Sequence, residues 1–150
     1  MNIRKLSKDE NIPYNLLLLA DETVEAINRY IFDSDIFVLE ESSQIIAVYA
    51  LQKLDAETVE IKNIAVTLTF QGRGLGKLLL NDAADRAKAQ GFKAVLIGTG
   101  DATKQLALYQ KMGFKRVGIR RNFYVDNYPK PIFENGVQLK DMVVLKKELP

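Results

Sequence analysis

Gln71-Gly72-Arg73-Gly74-Leu75-Gly76-Lys77 separates two stretches of different periodicity. Before it runs Val59-Glu60-Ile61-Lys62-Asn63-Ile64-Ala65-Val66, an apolar segment that reads as a strand. After it, Leu75, Leu78, Leu79, Ala83, Ala84 and Ala87 recur at helical spacing up to Gly91, a C-cap residue. Three glycines between positions 72 and 76 strip side chains from the turn, so a ligand can approach the backbone closely. The amides from Arg73 to Lys77 then point into the mouth of the helix, where they lack intrahelical partners and carry the positive end of its dipole. Such a place binds phosphate, and Arg73 and Lys77 would add side-chain charge. The plain alternative is a tight strand-to-helix turn with two solvated cations.

Two common phosphate motifs fail at specific residues. A P-loop would need glycine five positions before Gly76, where Gln71 stands, and Ser or Thr after Lys77, where Leu78 stands. A Gly-x-Gly-x-x-Gly dinucleotide turn started at Gly72 ends on Lys77, and started at Gly74 it ends on Leu79.

Gln-x-x-Gly-x-Gly after a strand ending Ile64-Ala65-Val66, followed at the right distance by Leu108-Tyr109-Gln110-Lys111-Met112-Gly113-Phe114, resembles the acetyl-CoA motif of the GNAT N-acetyltransferases. The resemblance is firm from about Val59 to Phe114. It implies that the backbone near Ile64, Ala65 and Val66 pairs with the pantetheine arm like a missing strand, and that Gln71, Gly72, Arg73, Gly74, Leu75, Gly76 and Lys77 hold the pyrophosphate. It places Tyr109 where the family often has a tyrosine that protonates the departing thiolate. Glu60, eleven residues ahead of Gln71, stands where some members carry a glutamate general base. One departure is Ala102, at a position where the family often has Asn; Asp101 and Thr103 are the neighbouring substitutes. Two plain readings stand beside these: Tyr109 as a core residue, and Glu60 on an outer face opposite Val59 and Ile61.

Outward from this centre, Ile36 to Glu41 and Ile45 to Leu51 read as a hairpin around Ser42-Ser43, and Asp55-Ala56-Glu57 turns into the strand from Val59. Ile3 to Leu6 suggests a short edge strand, and Pro13 to Phe32 one broken helix or two short ones. Downstream come a buried strand from Phe92 to Gly98, a short helix around Leu106 to Met112, and strands near Phe114 to Val125 and Leu139 to Leu149. Loop residues fill Asp126 to Pro131 and Glu134-Asn135-Gly136. This order predicts an α/β fold over residues 1–150 as one domain: a mixed, mostly antiparallel sheet flanked by helices, with a strand-loop-helix acetyl-CoA site.

Composition narrows the chemistry. The 150 residues include neither Cys nor His, which excludes disulfides, a thiolate nucleophile, Cys/His zinc sites and imidazole-based triads. Metal chemistry is not expected. With no Cys to carry an acetyl group, direct transfer to an amine is the expected order. A primary ammonium of pKa about 10.4 is neutral in roughly one molecule in 2,500 at pH 7, a cost near ~4.6 kcal/mol, so its proton needs an acceptor. Glu60, Glu57, a water chain and the substrate itself are the candidates. Net charge is only +2, and the chain has neither a signal-like start nor a membrane-length apolar run. The expectation is therefore a cytoplasmic protein without nucleic-acid or membrane partners.

The acceptor, a small-molecule or peptide amine, is expected near Tyr14 to Tyr30, the hairpin around Tyr49, and the loop Phe123 to Glu134. These segments offer Tyr14, Tyr30, Tyr49, Tyr124 and Tyr128 with Glu22, Glu25, Asp126 and Glu134. Arg120-Arg121 reads either as an anchor for an acidic group or as a solvated strand edge. A catalytically silent acetyl-CoA sensor is the alternative to an enzyme, and an exposed final strand offers pairing to a second copy.

Overall fold

The computed structural model describes residues 2–101 and 103–150. The chain opens with β1 (Asn2–Lys5), two short helices α1 (Tyr14–Leu17) and α2 (Val24–Asn28), and a 3-10 turn at Ile31–Asp33. An antiparallel meander follows: β2 (Ser34–Glu41), β3 (Gln44–Lys53) and β4 (Thr58–Val66). Helix α3 (Leu75–Ala89) crosses to β5 (Ala94–Gly100), which is parallel to β4, as a helical crossover permits. Then come α4 (Lys104–Lys111), β6 (Lys115–Arg120), α5 (Phe123–Asp126), the small hairpin β7 (Ile132–Glu134) and β8 (Val137–Leu139), and β9 (Met142–Glu148). Among the described residues seven strands form one sheet in the order β1-β2-β3-β4-β5-β9-β6, with β4–β5 its one parallel pair.

Period-2 patterning puts a separate apolar layer on each face. Phe37, Leu39, Tyr49, Ile61 and Val95 face α3 and α4, packing on Leu75, Leu79, Leu80 and Tyr109. Val38, Val48, Ala50 and Ala65 face α1 and α2, packing on Leu17, Ile27 and Ile31. The short helices are held by caps as well as burial. Thr23 accepts from the Ala26 amide at 3.1 Å, and Thr103 caps α4 by accepting from the Leu106 amide at 3.2 Å.

Of the two readings the sequence left open for the segment 13–32, the structure has two short helices, because the polar Asp21-Glu22 break leaves Thr23 to cap a new one. Two sequence expectations are corrected. The strand after Phe114 stops at Arg120, where Asn122 turns the chain with φ +55 into α5. The last long strand starts at Met142 rather than Leu139, which belongs to the hairpin.

Candidate functional site

Strands β4 and β5 pair only from Thr58 beside Ala94 to Ile61 beside Ile97. Beyond Ile61 they part, while β3 continues along β4 and β9 continues along β5 as far as Gly100. A β-bulge starts the divergence: Leu51 pairs with Ile61 and Ala50 with Asn63, leaving Lys62 without a partner on β3. The bulge also shifts the side-chain phase. Ile61, Ile64 and Val66 pack with the α3 layer, whereas Ala65 packs with the α1/α2 layer and Asn63 bonds into it. The split opens into a groove of about 670 Å³ that reaches from α3 to the α1/α2 side of the sheet.

At one end of this groove lies the glycine turn. Gly72 and Gly74 have φ of +76° and +80°, the left-handed region that glycine enters without strain. A Cβ built on either meets nothing within 4 Å, so the backbone there is open to contact. Gly74 is the N-cap of α3, no side chain caps that end, and no acidic residue stands in its first turn. The first helical bond runs from the Leu78 amide to the Gly74 carbonyl, leaving the amides of Leu75, Gly76 and Lys77 without helical partners. Gly76 differs from the other two. Its φ is not positive, and a Cβ there would lie an ordinary 3.8 Å from Leu108. Nothing in the fold demands glycine at this position, where it costs a helix about 1 kcal/mol relative to alanine.

Of the sequence-predicted binding residues, Ile64, Ala65, Val66, Gln71, Gly72, Gly74, Leu75, Gly76 and Lys77 all line the groove. Gln71 turns its side chain inward and donates to the Val66 carbonyl at 2.9 Å, tying the turn to the strand. Arg73 does not line the groove; its guanidinium lies over the ring of Phe70, 4.7 Å from the ring centre.

Tyr109, from α4, is buried at 6% exposure and lines the groove from the α3 side. Its hydroxyl has no hydrogen-bond partner among the described residues, and burial pushes its pKa up to about 12. Ala102 lies outside the described residues.

Glu60 is neither exposed nor part of the groove wall. It is 4% exposed, its Oε1 accepts from Arg120 Nη2 at 3.0 Å, and its Oε2 lies 3.3 Å from Arg120 Nη1 and 3.4 Å from Lys62 Nζ. The outer-face reading is corrected, because the face opposite Val59 and Ile61 is covered in the fold. Arg120, placed at a solvated edge by the alternative reading, is this carboxylate's partner.

The opposite end of the groove is walled by Asp21, Glu22, Lys62, Tyr124, Tyr128 and Glu134. Tyr30 joins this wall through a hydrogen bond to Asp21 Oδ2 at 2.9 Å. Tyr49, expected here, is instead fully buried on the α3 face. It stacks on Phe37 at 4.9 Å and donates to Asp82 at 2.7 Å, itself bonded by Arg86 at 2.8 Å. Burial and the Asp82 carboxylate raise its pKa, so it serves as structure. Tyr14 donates to Asn28 at 2.6 Å, and neither it nor Glu25 nor Asp126 lines the groove. Sequence reasoning missed Asp21, Lys62 and Asn63. For Asn63 a signal existed: a carboxamide between Ile61 and Ile64 in an otherwise apolar strand.

Among the described residues no cluster of three or more metal-ligating side chains occurs, and no helix is long and apolar enough to cross a membrane.

Residues 32–116 match the family model described as an acetyltransferase (GNAT) domain. The chain is 39% identical over 155 residues to the uncharacterized N-acetyltransferase YvbK of Bacillus subtilis, covering 99% of this chain and 100% of the relative. A crystal structure of a GNAT family acetyltransferase from Elizabethkingia anophelis with acetyl-CoA bound superposes with a TM-score of 0.95 at 46% identity, covering 99% of this chain and 97% of that one. A structure described as an IAA acetyltransferase from Bacillus cereus superposes at 0.93 with 39% identity and 99% coverage of both chains.

Proposed function

The chain belongs to the GNAT acetyltransferase family, and from that premise we propose that residues 1–150 act as a single catalytic domain transferring the acetyl group of acetyl-CoA directly to an amine. One observation carries the reading: the strand split opens beside a helix N-terminus whose amides are unpaired and whose glycines leave the backbone bare. A groove with a cationic, amide-lined end and an edge of unpaired strand fits a donor made of a pyrophosphate and an amide-bearing arm.

Acetyl-CoA supplies an acetyl thioester, whose carbonyl carbon is open to attack by an amine. The backbone at Ile64, Ala65 and Val66 holds the arm as an added strand. The turn from Gln71 to Lys77 holds the pyrophosphate through the Leu75, Gly76 and Lys77 amides, with Lys77 and Arg73 adding charge. A backbone amide near Ile64 to Val66 meets the carbonyl oxygen as negative charge develops on it. The amine nitrogen bonds to the carbonyl carbon, the carbon–sulfur bond breaks, and the electron pair leaves on sulfur.

Tyr109 offers its O–H to that sulfur. Burial raises the pKa of this phenol, so it keeps its proton until a thiolate develops beside it and is placed to donate a hydrogen bond there. Glu60 has both oxygens engaged by Arg120 and Lys62 and does not reach the groove wall, so it serves as a positioning residue. The amine's proton leaves to groove water and from there to bulk solvent, and the thiolate departs with the donor's remaining part.

Thermal unfolding with and without acetyl-CoA, with ATP and NAD as controls, tests the reading. At a hundredfold excess over the dissociation constant, linkage adds roughly 2.7 kcal/mol, a rise of a few degrees for acetyl-CoA alone. No shift with acetyl-CoA would reduce the turn to plain architecture, and an equal shift with ATP would make it a general phosphate site rather than an acetyl-CoA site.

A further inference from the structure

Where the groove emerges on the α1/α2 side, its wall gathers hydrogen-bond acceptors. Asp21 Oδ1 accepts from the Tyr128 hydroxyl at 2.6 Å and from the Glu22 amide at 2.8 Å, and Oδ2 accepts from the Tyr30 hydroxyl at 2.9 Å. A carboxylate has about four acceptor sites, so this one is oriented by three donors and keeps capacity for another. Tyr30 in turn accepts from Asn63 Nδ2 at 3.0 Å. The same Nδ2 donates to the Leu17 carbonyl at 3.0 Å, which can only accept and therefore fixes the amide's orientation. Among the described residues Asn63 Oδ1 has no donor, on a side chain 5% exposed in a residue that lines the groove. A buried carbonyl without a donor is costly, and it calls for an N–H or O–H.

Charge and aromatic placement point the same way. Asp21, Glu22 and Glu134 line this end, and Lys62, the cation on the same wall, is paired to Glu60 at 3.4 Å. Tyr124 and Tyr128 stack at 6.2 Å with an interplanar angle of 21°, beside the Asp21 carboxylate. A carboxylate flanked by phenol rings is a setting that favours an organic ammonium, through charge-assisted hydrogen bonds and cation–π attraction together.

Resting on the acetyl-transfer reading above, we propose that this end of the groove selects acceptors with two amino groups, diamines or polyamines, holding one as an ammonium at Asp21 while the other enters the strand split to be acetylated. Asn63 Oδ1 receives an N–H of the same molecule. The bound ammonium also repels a second positive charge, which favours the free-base form of the reacting amine. A monoamine or an amino acid leaves Asp21 and Asn63 unmatched.

The test compares steady-state acetylation of α,ω-diaminoalkanes with that of monoaminoalkanes of equal chain length, an amino acid and a short peptide. The expected result is a kcat/KM at least about tenfold higher for the diamine than for its matched monoamine, expressed mainly in KM. Asp21→Asn should erase that preference, and Tyr128→Phe, which removes one donor to Asp21, should shrink it. Stabilisation by acetyl-CoA reports in each variant that the fold and donor site persist, and Tyr128→Phe carries the test if Asp21→Asn does not fold. Equal kcat/KM for diamine and monoamine, or a peptide or amino acid preferred over both, overturns the proposal and leaves acetyl transfer standing. Stabilisation by acetyl-CoA without turnover of any amine overturns both the proposal and acetyl transfer, and absence of that stabilisation overturns the donor site beneath them.

Discussion

Glu60 and Arg120, 60 positions apart in the chain, meet as carboxylate and two-nitrogen fork at 3.0 and 3.3 Å, tying β4 to the end of β6. Removing one partner of such a pair leaves the other buried and short of its counter-charge. Arg120 is about a third exposed, which tempers the cost, so Arg120→Ala should destabilise by about 1–3 kcal/mol in denaturant unfolding. Glu60→Gln separates positioning from proton transfer. As a positioning residue, its loss should raise acceptor KM several-fold and leave the shape of the kcat/KM pH profile intact. Disappearance of the acidic limb in Glu60→Gln would make Glu60 the base.

The glycines of the turn should divide by function. Gly74 holds φ +80 and has open space around its Cβ position, so Gly74→Val should cost about 1–2 kcal/mol of conformational strain, fold, and lose acetyl-CoA stabilisation. Gly76 has no such constraint, and Gly76→Ala should stabilise the free protein by up to about 1 kcal/mol while weakening acetyl-CoA binding. Unaltered affinity in both variants, read by titration calorimetry, would remove the pyrophosphate from this turn.

Tyr109→Phe isolates one hydroxyl. Because that hydroxyl has no hydrogen-bond partner among the described residues, the variant should match the parent's stability within about 0.5 kcal/mol. If the hydroxyl donates to the developing thiolate, kcat should fall roughly 10- to 100-fold with little change in acetyl-CoA affinity. Parental turnover would make Tyr109 a packing residue against Phe114, whose ring lies 6.2 Å away.

Local patterning made the glycine-turn end of the groove legible in the sequence. The alternation of β2 to β4, the glycine turn and the leucine-alanine stripe of α3 are consequences of a few neighbouring residues each. At the opposite end the sequence named Glu22, Tyr30, Tyr124, Tyr128 and Glu134 but not the long-range meetings that assemble them: Tyr128 reaches Asp21 across 107 positions, and Asn63 reaches Leu17 across 46. Period-2 reading gave Glu60 its correct side of the strand, but it does not say whether a second layer covers that side. It also carries no mark of the bulge at Lys62, which by inserting one residue moves Asn63 and Ala65 off the face of Ile61 and onto the α1/α2 side. Tyr49 was misplaced for the same reason, since a tyrosine at the middle of a strand looks alike whether it meets a ligand or Asp82.

The tyrosines also predict how the protein fails in alkali. Burial raises the pKa of Tyr30, Tyr49, Tyr109, Tyr124 and Tyr128, with Asp82 adding to the effect at Tyr49 and Asp21 at Tyr30, Tyr124 and Tyr128. A phenol with a higher pKa folded than unfolded holds its proton more tightly in the native state. Its stabilising effect is complete below the unfolded value near 10 and is lost as pH rises through the folded one. For Tyr109 that window runs from about 10 to about 12 and is worth up to about 2–3 kcal/mol, and the other four extend it upward. Denaturant midpoints should therefore hold steady up to about pH 9 and fall steeply above about 10. Tyrosinate absorbance should rise together with the loss of circular dichroism, since these phenols ionise by unfolding. Tyrosinate signal from most of these phenols ahead of any unfolding would show them reaching solvent in the native state, and with it a more open acceptor wall than the Asp21 hydrogen bonds describe.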